Sequence, residues 1–163
     1  MIFEIKKYPA PVLKKRAKEI VQINQEVREL AENMIETMAA REGVGLAANQ
    51  VGVLKRIIIV QTEGRPQVFI NPRVIQKSRE TARDQEGCLS LPKELYLNIK
   101  RAQLVEITAL DLFGKETKIR VQGLAARIFQ HEIDHINGTL IIDRIGFWQK
   151  LKIKKKLKRY GVD

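Results

Sequence analysis

Gln130-His131-Glu132-Ile133-Asp134-His135-Ile136-Asn137-Gly138 is the stretch whose reading decides the fold. It contains the pattern His-Glu-x-x-His, and the chain's two histidines are both inside it. On an α-helix, residues four apart lie one turn above each other on the same face. A helix here therefore offers His131 and His135 to one metal ion, with Glu132 beside them as a general base. The plainer reading of so short a pattern is two surface histidines on an ordinary helix. What decides between them is whether the chain supplies a third ligand.

Working outward, the helix is expected to start near Gly123 and to end at Gly138, a suitable residue just past a helix C-terminus. Leu124, Ile128 and the two histidines then lie near one face. Upstream, Leu104–Leu110 alternates apolar and polar residues and reads as a half-buried strand. Asp111-Leu112-Phe113-Gly114 turns it into a second strand, Thr117–Val121. Ile57-Ile58-Ile59-Val60 is a continuous β-branched run typical of a buried strand. Val68–Ile70 and Arg73–Gln76 read as two shorter strands, and residues 78–87 as a polar connection leading to Cys88. Asn24 is placed to cap a helix through about Ala40, with Val27, Leu30, Met34 and Met38 on one face. Pro9 and Pro11 make residues 1–20 an irregular arm, with Val12 and Leu13 tucked into the core. A last helix follows Asp143. Strands flanking one buried helix make the fold α+β, with an N-terminal helix and a basic C-terminal helix.

The chain has 163 residues, 44% of them hydrophobic and 30% charged. That length supports a core and is read as one domain spanning 1–163, with 146–163 as a basic tail. No apolar run approaches the length needed to cross a bilayer, and the N-terminus lacks the pattern of a signal or transit peptide. A cytoplasmic, monomeric protein with no membrane partner is expected. The net charge of +11 points to an anionic partner. Residues 150–159 hold seven basic side chains and no acidic one.

Cys88, the single cysteine, excludes an intramolecular disulfide. A thiolate with two imidazoles is a good ligand set for a divalent transition metal, and three protein ligands leave a fourth position open. By itself Cys88 reads equally as a small buried apolar residue. The economy of the composition favours the site, because the chain's lone Cys and both its His residues fit into it.

Three stretches together resemble the signature motifs of the peptide deformylases, in the same order: Gly43-Val44-Gly45-Leu46-Ala47-Ala48-Asn49-Gln50, Glu86-Gly87-Cys88-Leu89-Ser90 and Gln130–His135. The likeness runs from Tyr8-Pro9 to about Ile145. It implies a central metal helix enclosed by antiparallel sheets, Fe²⁺ as the usual metal, and hydrolysis of the formyl group on N-formylmethionyl peptides. Zn²⁺, Ni²⁺ or Co²⁺ would also suit the donors. By resemblance Cys88, His131 and His135 are the ligands, and Glu132 takes a proton from water and passes it to the leaving amine. Gln50 and the Leu89 N–H become donors to the oxyanion.

Gly43 and Gly45 would let a peptide backbone approach. Val44, Leu124 and Ile128 are candidates for the methionine slot, and Glu86 is expected to pair with Arg101 behind the ligands. The sequence departs from the family at Lys93, where a glycine is usual, and in a Lys93–Lys100 segment one residue longer than common. Two other readings remain: a His-Glu-x-x-His metalloprotease, and a ribosome- or RNA-binding module with a relict metal site. The basic tail is expected to form a helix over 147–160, with Phe147, Leu151 and Leu157 facing the body. The resemblance further implies a contact between this tail and ribosomal RNA.

Overall fold

A computed structural model describes residues 1–162; Asp163, the last residue of the expected tail, lies outside them. In chain order the elements are α1 (Gln25–Ala40), β1 (Gly45–Ala47), β2 (Ile57–Thr62), β3 (Arg65–Lys77), β4 (Thr81–Glu86), β5 (Leu97–Ala102), β6 (Leu104–Leu110), β7 (Glu116–Gln122), α2 (Gly123–Ile136) and α3 (Phe147–Arg159). Short 3-10 turns occupy Pro11–Lys14, Ala48–Val51 and Ile141–Asp143. The strands form a five-stranded sheet in the order β1-β2-β3-β6-β7 and a separate β4-β5 hairpin, antiparallel throughout. This is the expected α+β architecture around one central helix.

The unbroken run in β2 has a simple cause. Strand side chains alternate between faces, and both faces of this strand are covered. Ile58 and Val60 pack toward α2 with Phe69, Ile107, Phe129 and Ile133. Ile57 and Ile59 pack toward α1 with Val27, Leu30, Met34 and Met38. Phe129 is wholly buried and meets the Phe69 ring edge-on, with centroids 4.8 Å apart. Asn24 caps α1 as expected, its side chain accepting from the Val27 N–H at 3.2 Å.

Two strand readings change. The segments Val68–Ile70 and Arg73–Gln76 belong to one strand, β3, interrupted by a register shift between Ile70 and Arg73. Asn71 sits at the shift with φ of 50°. Its side chain accepts from the Ile20 N–H and donates to the Ile20 carbonyl, pinning the N-terminal arm to the sheet. The polar stretch 78–87 is no mere connection: Thr81–Glu86 pairs residue for residue with Leu97–Ala102.

Helix α2 sits against the sheet through Ala126, Phe129, Ile133 and Ile136, spaced by three or four residues. The turn after it passes against the N-terminal arm. Gly138 has φ of 77°, and a Cβ there would lie 2.8 Å from the Lys14 carbonyl carbon. Only glycine satisfies both demands.

The tail helix is present, and Leu157 faces the body as expected, but Phe147 and Leu151 do not. Leu157 is buried and Ile153 packs beside it, against Leu13, Leu95 and Leu140–Ile142. Phe147 is 67% exposed and Leu151 39%. Lys150, at the end of the first turn, donates to Asp143 at 2.6 Å, and Leu157 is the helix's buried residue.

Candidate metal centre

Three elements converge on one point. Helix α2 supplies His131, Glu132 and His135; the loop after β4 supplies Cys88 and Leu89; the 3-10 turn after β1 supplies Gln50. Cys88 Sγ lies 3.2 Å from His135 Nε2, which is 3.2 Å from His131 Nε2. One donor atom from each of the three residues falls within 4.8 Å of the other two. Tetrahedral bonds of about 2.0–2.1 Å to nitrogen and 2.3 Å to sulfur give ligand–ligand edges of about 3.3–3.6 Å, so the donor set fits a divalent ion.

The surroundings aim these donors. His131 Nδ1 is 2.9 Å from Glu86 Oε2, which turns its Nε2 toward the cluster. Asn49 Nδ2 donates to the His135 carbonyl, tying the helix to the Ala48–Val51 turn. Gln50 Oε1 accepts from the Ala47 N–H at 2.9 Å. Its amide nitrogen is thereby fixed toward the site, 3.7 Å from Cys88 Sγ and 3.2 Å from Ser90 Oγ.

Glu132 is buried, and its Oε2 has no hydrogen-bond partner among the described residues. A buried carboxylate oxygen without a donor is costly unless something polar meets it there. Burial pushes its pKa up to about 7, against the opposing pull of His131. Gly45 lies over this carboxylate: a Cβ on residue 45 would sit 2.8 Å from Glu132 Cδ. Its missing side chain therefore makes room for Glu132.

Glu86 and Arg101 pair as expected, with Arg101 Nε and Nη2 donating to the two carboxylate oxygens at 2.8 and 3.0 Å. The pair is part of a larger network. Arg127 Nη1 also donates to Glu86 at 2.8 Å, and Asp134 joins Arg101 to Arg144. Burial works to raise the Glu86 carboxyl, but hydrogen bonds from Arg101 and His131 outweigh it and hold the pKa at about 2. Burial opposes the charge on His131 too, yet contacts with Cys88 and Glu86 raise its pKa well above the usual value. For His135, burial and then the charge of His131 both act to lower it. The Glu86–Arg101 pair forms within the β4-β5 hairpin, whose register sets Glu86 opposite Leu97 and Arg101 opposite Ala82.

Arg127 and Asp134 were not singled out in the sequence. A signal existed: they are charges four before and three after His131, positions that neighbour it on a helix, and both prove buried.

A cleft of about 530 Å³ opens onto the cluster. Gly43, Val44, Gly45, Gln50, Glu86, Cys88, Leu89, Leu124, Ile128, His131 and Glu132 line it, while His135 and Arg101 lie behind its wall. Ile128 is a buried floor residue; Val44 and Leu124 are 54% and 69% exposed at the rim. Tyr96 also lines the cleft, packed over Gly87. It lies within the Lys93–Lys100 segment, where a departure from the family pattern is expected.

The polypeptide deformylase family model matches residues 2–151. The chain belongs to that family. A peptide deformylase of Thermodesulfovibrio yellowstonii is 48% identical over 162 residues, covering 96% of this chain and 97% of the other. One from Dictyoglomus thermophilum is 50% identical over 144 residues, 88% of this chain and 93% of the relative. Among solved structures, the Thermotoga maritima peptide deformylase superimposes with a TM-score of 0.87 at 40% identity, covering 90% and 99% of the two chains. The chain is thus a peptide deformylase, a hydrolase that removes the N-formyl group from nascent polypeptides. Neither the metalloprotease nor the relict-site reading is favoured. No helix among the described residues is long and apolar enough to cross a membrane.

Proposed function

We propose that Cys88, His131 and His135 hold one divalent ion, iron in the working enzyme, and that Glu132 moves the protons of deformylation. The observation that carries this reading is the convergence of the chain's only thiol and only two imidazoles within 4.8 Å. When bound, such an ion supplies a Lewis acid for the formyl oxygen and lowers the pKa of water. Glu132, buried and with one oxygen unpartnered, accepts the water proton and delivers it to the leaving amine. A pKa near neutrality suits a group that must do both. The Gln50 amide, clamped by Ala47, and the Leu89 N–H face the developing oxyanion. Each such donor is worth about 10²–10³ in rate.

Gly43 and Gly45 admit the peptide backbone, and Ile128 forms the floor of a methionine slot that Val44 and Leu124 close from the rim. Glu86 and Arg101 hold His131 in position. Residues 1–163 then work as one catalytic unit in the cytoplasm, as a monomer, on chains leaving the ribosome. The lysines of α3 other than Lys150 are exposed, which suits contact with ribosomal RNA.

The substrate reading is tested by comparing a formylated with an unformylated Met-Ala-Ser peptide. Formate release from the first, with no cleavage of either backbone, is expected; backbone cleavage would establish a metalloprotease instead. For the tail, Lys152→Gln/Lys155→Gln is expected to weaken ribosome binding at low salt. Equal affinity would refute the RNA contact.

A further inference from the structure

On the face of α2 opposite the metal, Gln130, Ile133, Asp134 and Asn137 border a second cleft of about 810 Å³. The ends of β3 and the β4-β5 hairpin form its other walls. Seven cationic side chains line it against two carboxylates. The carboxylates are already engaged: Glu19 pairs with Arg73, and Asp134 with Arg101 and Arg144. Arg16, Arg56, Lys77 and Lys100 have no carboxylate partner among the described residues.

Arg56 is the decisive residue. It is only 5% exposed, and its guanidinium donates to two neutral acceptors, Asn137 Oδ1 at 2.8 Å and the Pro72 carbonyl at 3.1 Å. A buried cation without an anion is expensive. Burial and then the charge of Arg16 act to lower its pKa, against a weaker opposing pull from Glu19, which pairs with Arg73. The family reaction, on the far side of the helix, makes no use of this arrangement.

We infer that this cleft binds a small free polyphosphate. Guanidinium forks match phosphate oxygens in geometry and charge, and Arg16, Arg56, Lys77 and Lys100 suit a ligand bearing several negative charges. Ser78, Thr81 and Gln130 add neutral donors along the walls. No aromatic side chain lines the cleft, so nothing there stacks a nucleobase. Its concavity and volume are those of small-molecule sites rather than of a surface laid along a duplex.

The test is calorimetric titration of the full-length, metal-loaded protein with inorganic tripolyphosphate at fixed, physiological ionic strength. One saturable site is expected. Arg16→Gln/Lys77→Gln, at two exposed positions, should weaken it about tenfold or more. Lys100→Gln, on a different strand, should weaken it independently. The charge-matched pair Lys152→Gln/Lys155→Gln on α3 should change affinity less than about twofold, since exposed distant charges are screened. Equal weakening by both pairs, or non-saturating binding, would reduce the effect to net charge and overturn the site. Binding of an RNA duplex that the cleft pair weakens, with no tripolyphosphate binding, would overturn the free ligand in favour of RNA.

Discussion

Replacing Gly45 by alanine puts the smallest side chain against the group assigned to proton transfer. The added Cβ would lie 2.8 Å from Glu132 Cδ and 2.9 Å from Cγ. Carbon atoms rest at about 3.5–4.0 Å, so the carboxylate must withdraw by roughly 1 Å. A displacement of that size at a reacting group costs about 10²-fold in rate. No metal donor lies among the nearest atoms to this Cβ, so metal content should stay at the wild-type level. The assay is formate release from formyl-Met-Ala-Ser, with iron measured in the same anaerobic preparation. A loss of kcat near 10²-fold at full metal occupancy is expected. A kcat within about threefold of wild type would refute the packing argument. So would a loss that merely tracks missing iron.

Cys88→Ala should abolish stoichiometric metal binding, read by metal analysis; a fully loaded variant would break the ligand assignment. Arg101→Met should destabilise the fold by about 3–5 kcal/mol in urea unfolding, because Glu86 and Asp134 lose a shared buried cation; an unchanged midpoint would contradict the network. Asp143 is held at about 2, below its usual 3.8, because hydrogen bonds from Lys14 and Lys150 outweigh its burial. Its contribution is therefore complete above the usual value and is lost as pH falls through about 2. Since Lys14 is substantially exposed, Asp143→Asn should cost only about 1 kcal/mol at neutral pH, which lowers Tm by about 2–4 °C. That gap should close as the pH approaches 2, as scanning calorimetry would show.

The parts of the molecule legible in sequence are those where one local rule governs. Val27, Leu30, Met34 and Met38 at helical spacing gave α1, and Asn24 its cap. His131 and His135 showed their shared face because helical spacing alone sets it. Other features depend on partners distant in sequence. Thr81–Glu86 is polar and largely exposed, so no periodicity marks it; its strand exists because Leu97–Ala102 lies beside it. Phe147 and Leu151 read as one buried stripe with Leu157, but only Leu157, with Ile153 beside it, meets the body. The side chains that Leu157 and Ile153 meet include Leu13, Leu95 and Leu97, which lie far away in sequence and in no local window. Likewise the close approach of Gly45 to Glu132 exists only once α2 is folded against it.

The most direct test of the central assignment is a paired measurement on Glu132→Gln. Iron content and formate release from formyl-Met-Ala-Ser are determined on the same anaerobic sample, beside wild type. The expected result is one metal ion per chain in both proteins and a kcat about 10²–10⁴-fold lower in the variant. Turnover at the wild-type rate, or a variant that cannot hold its metal, would contradict the role given to Glu132.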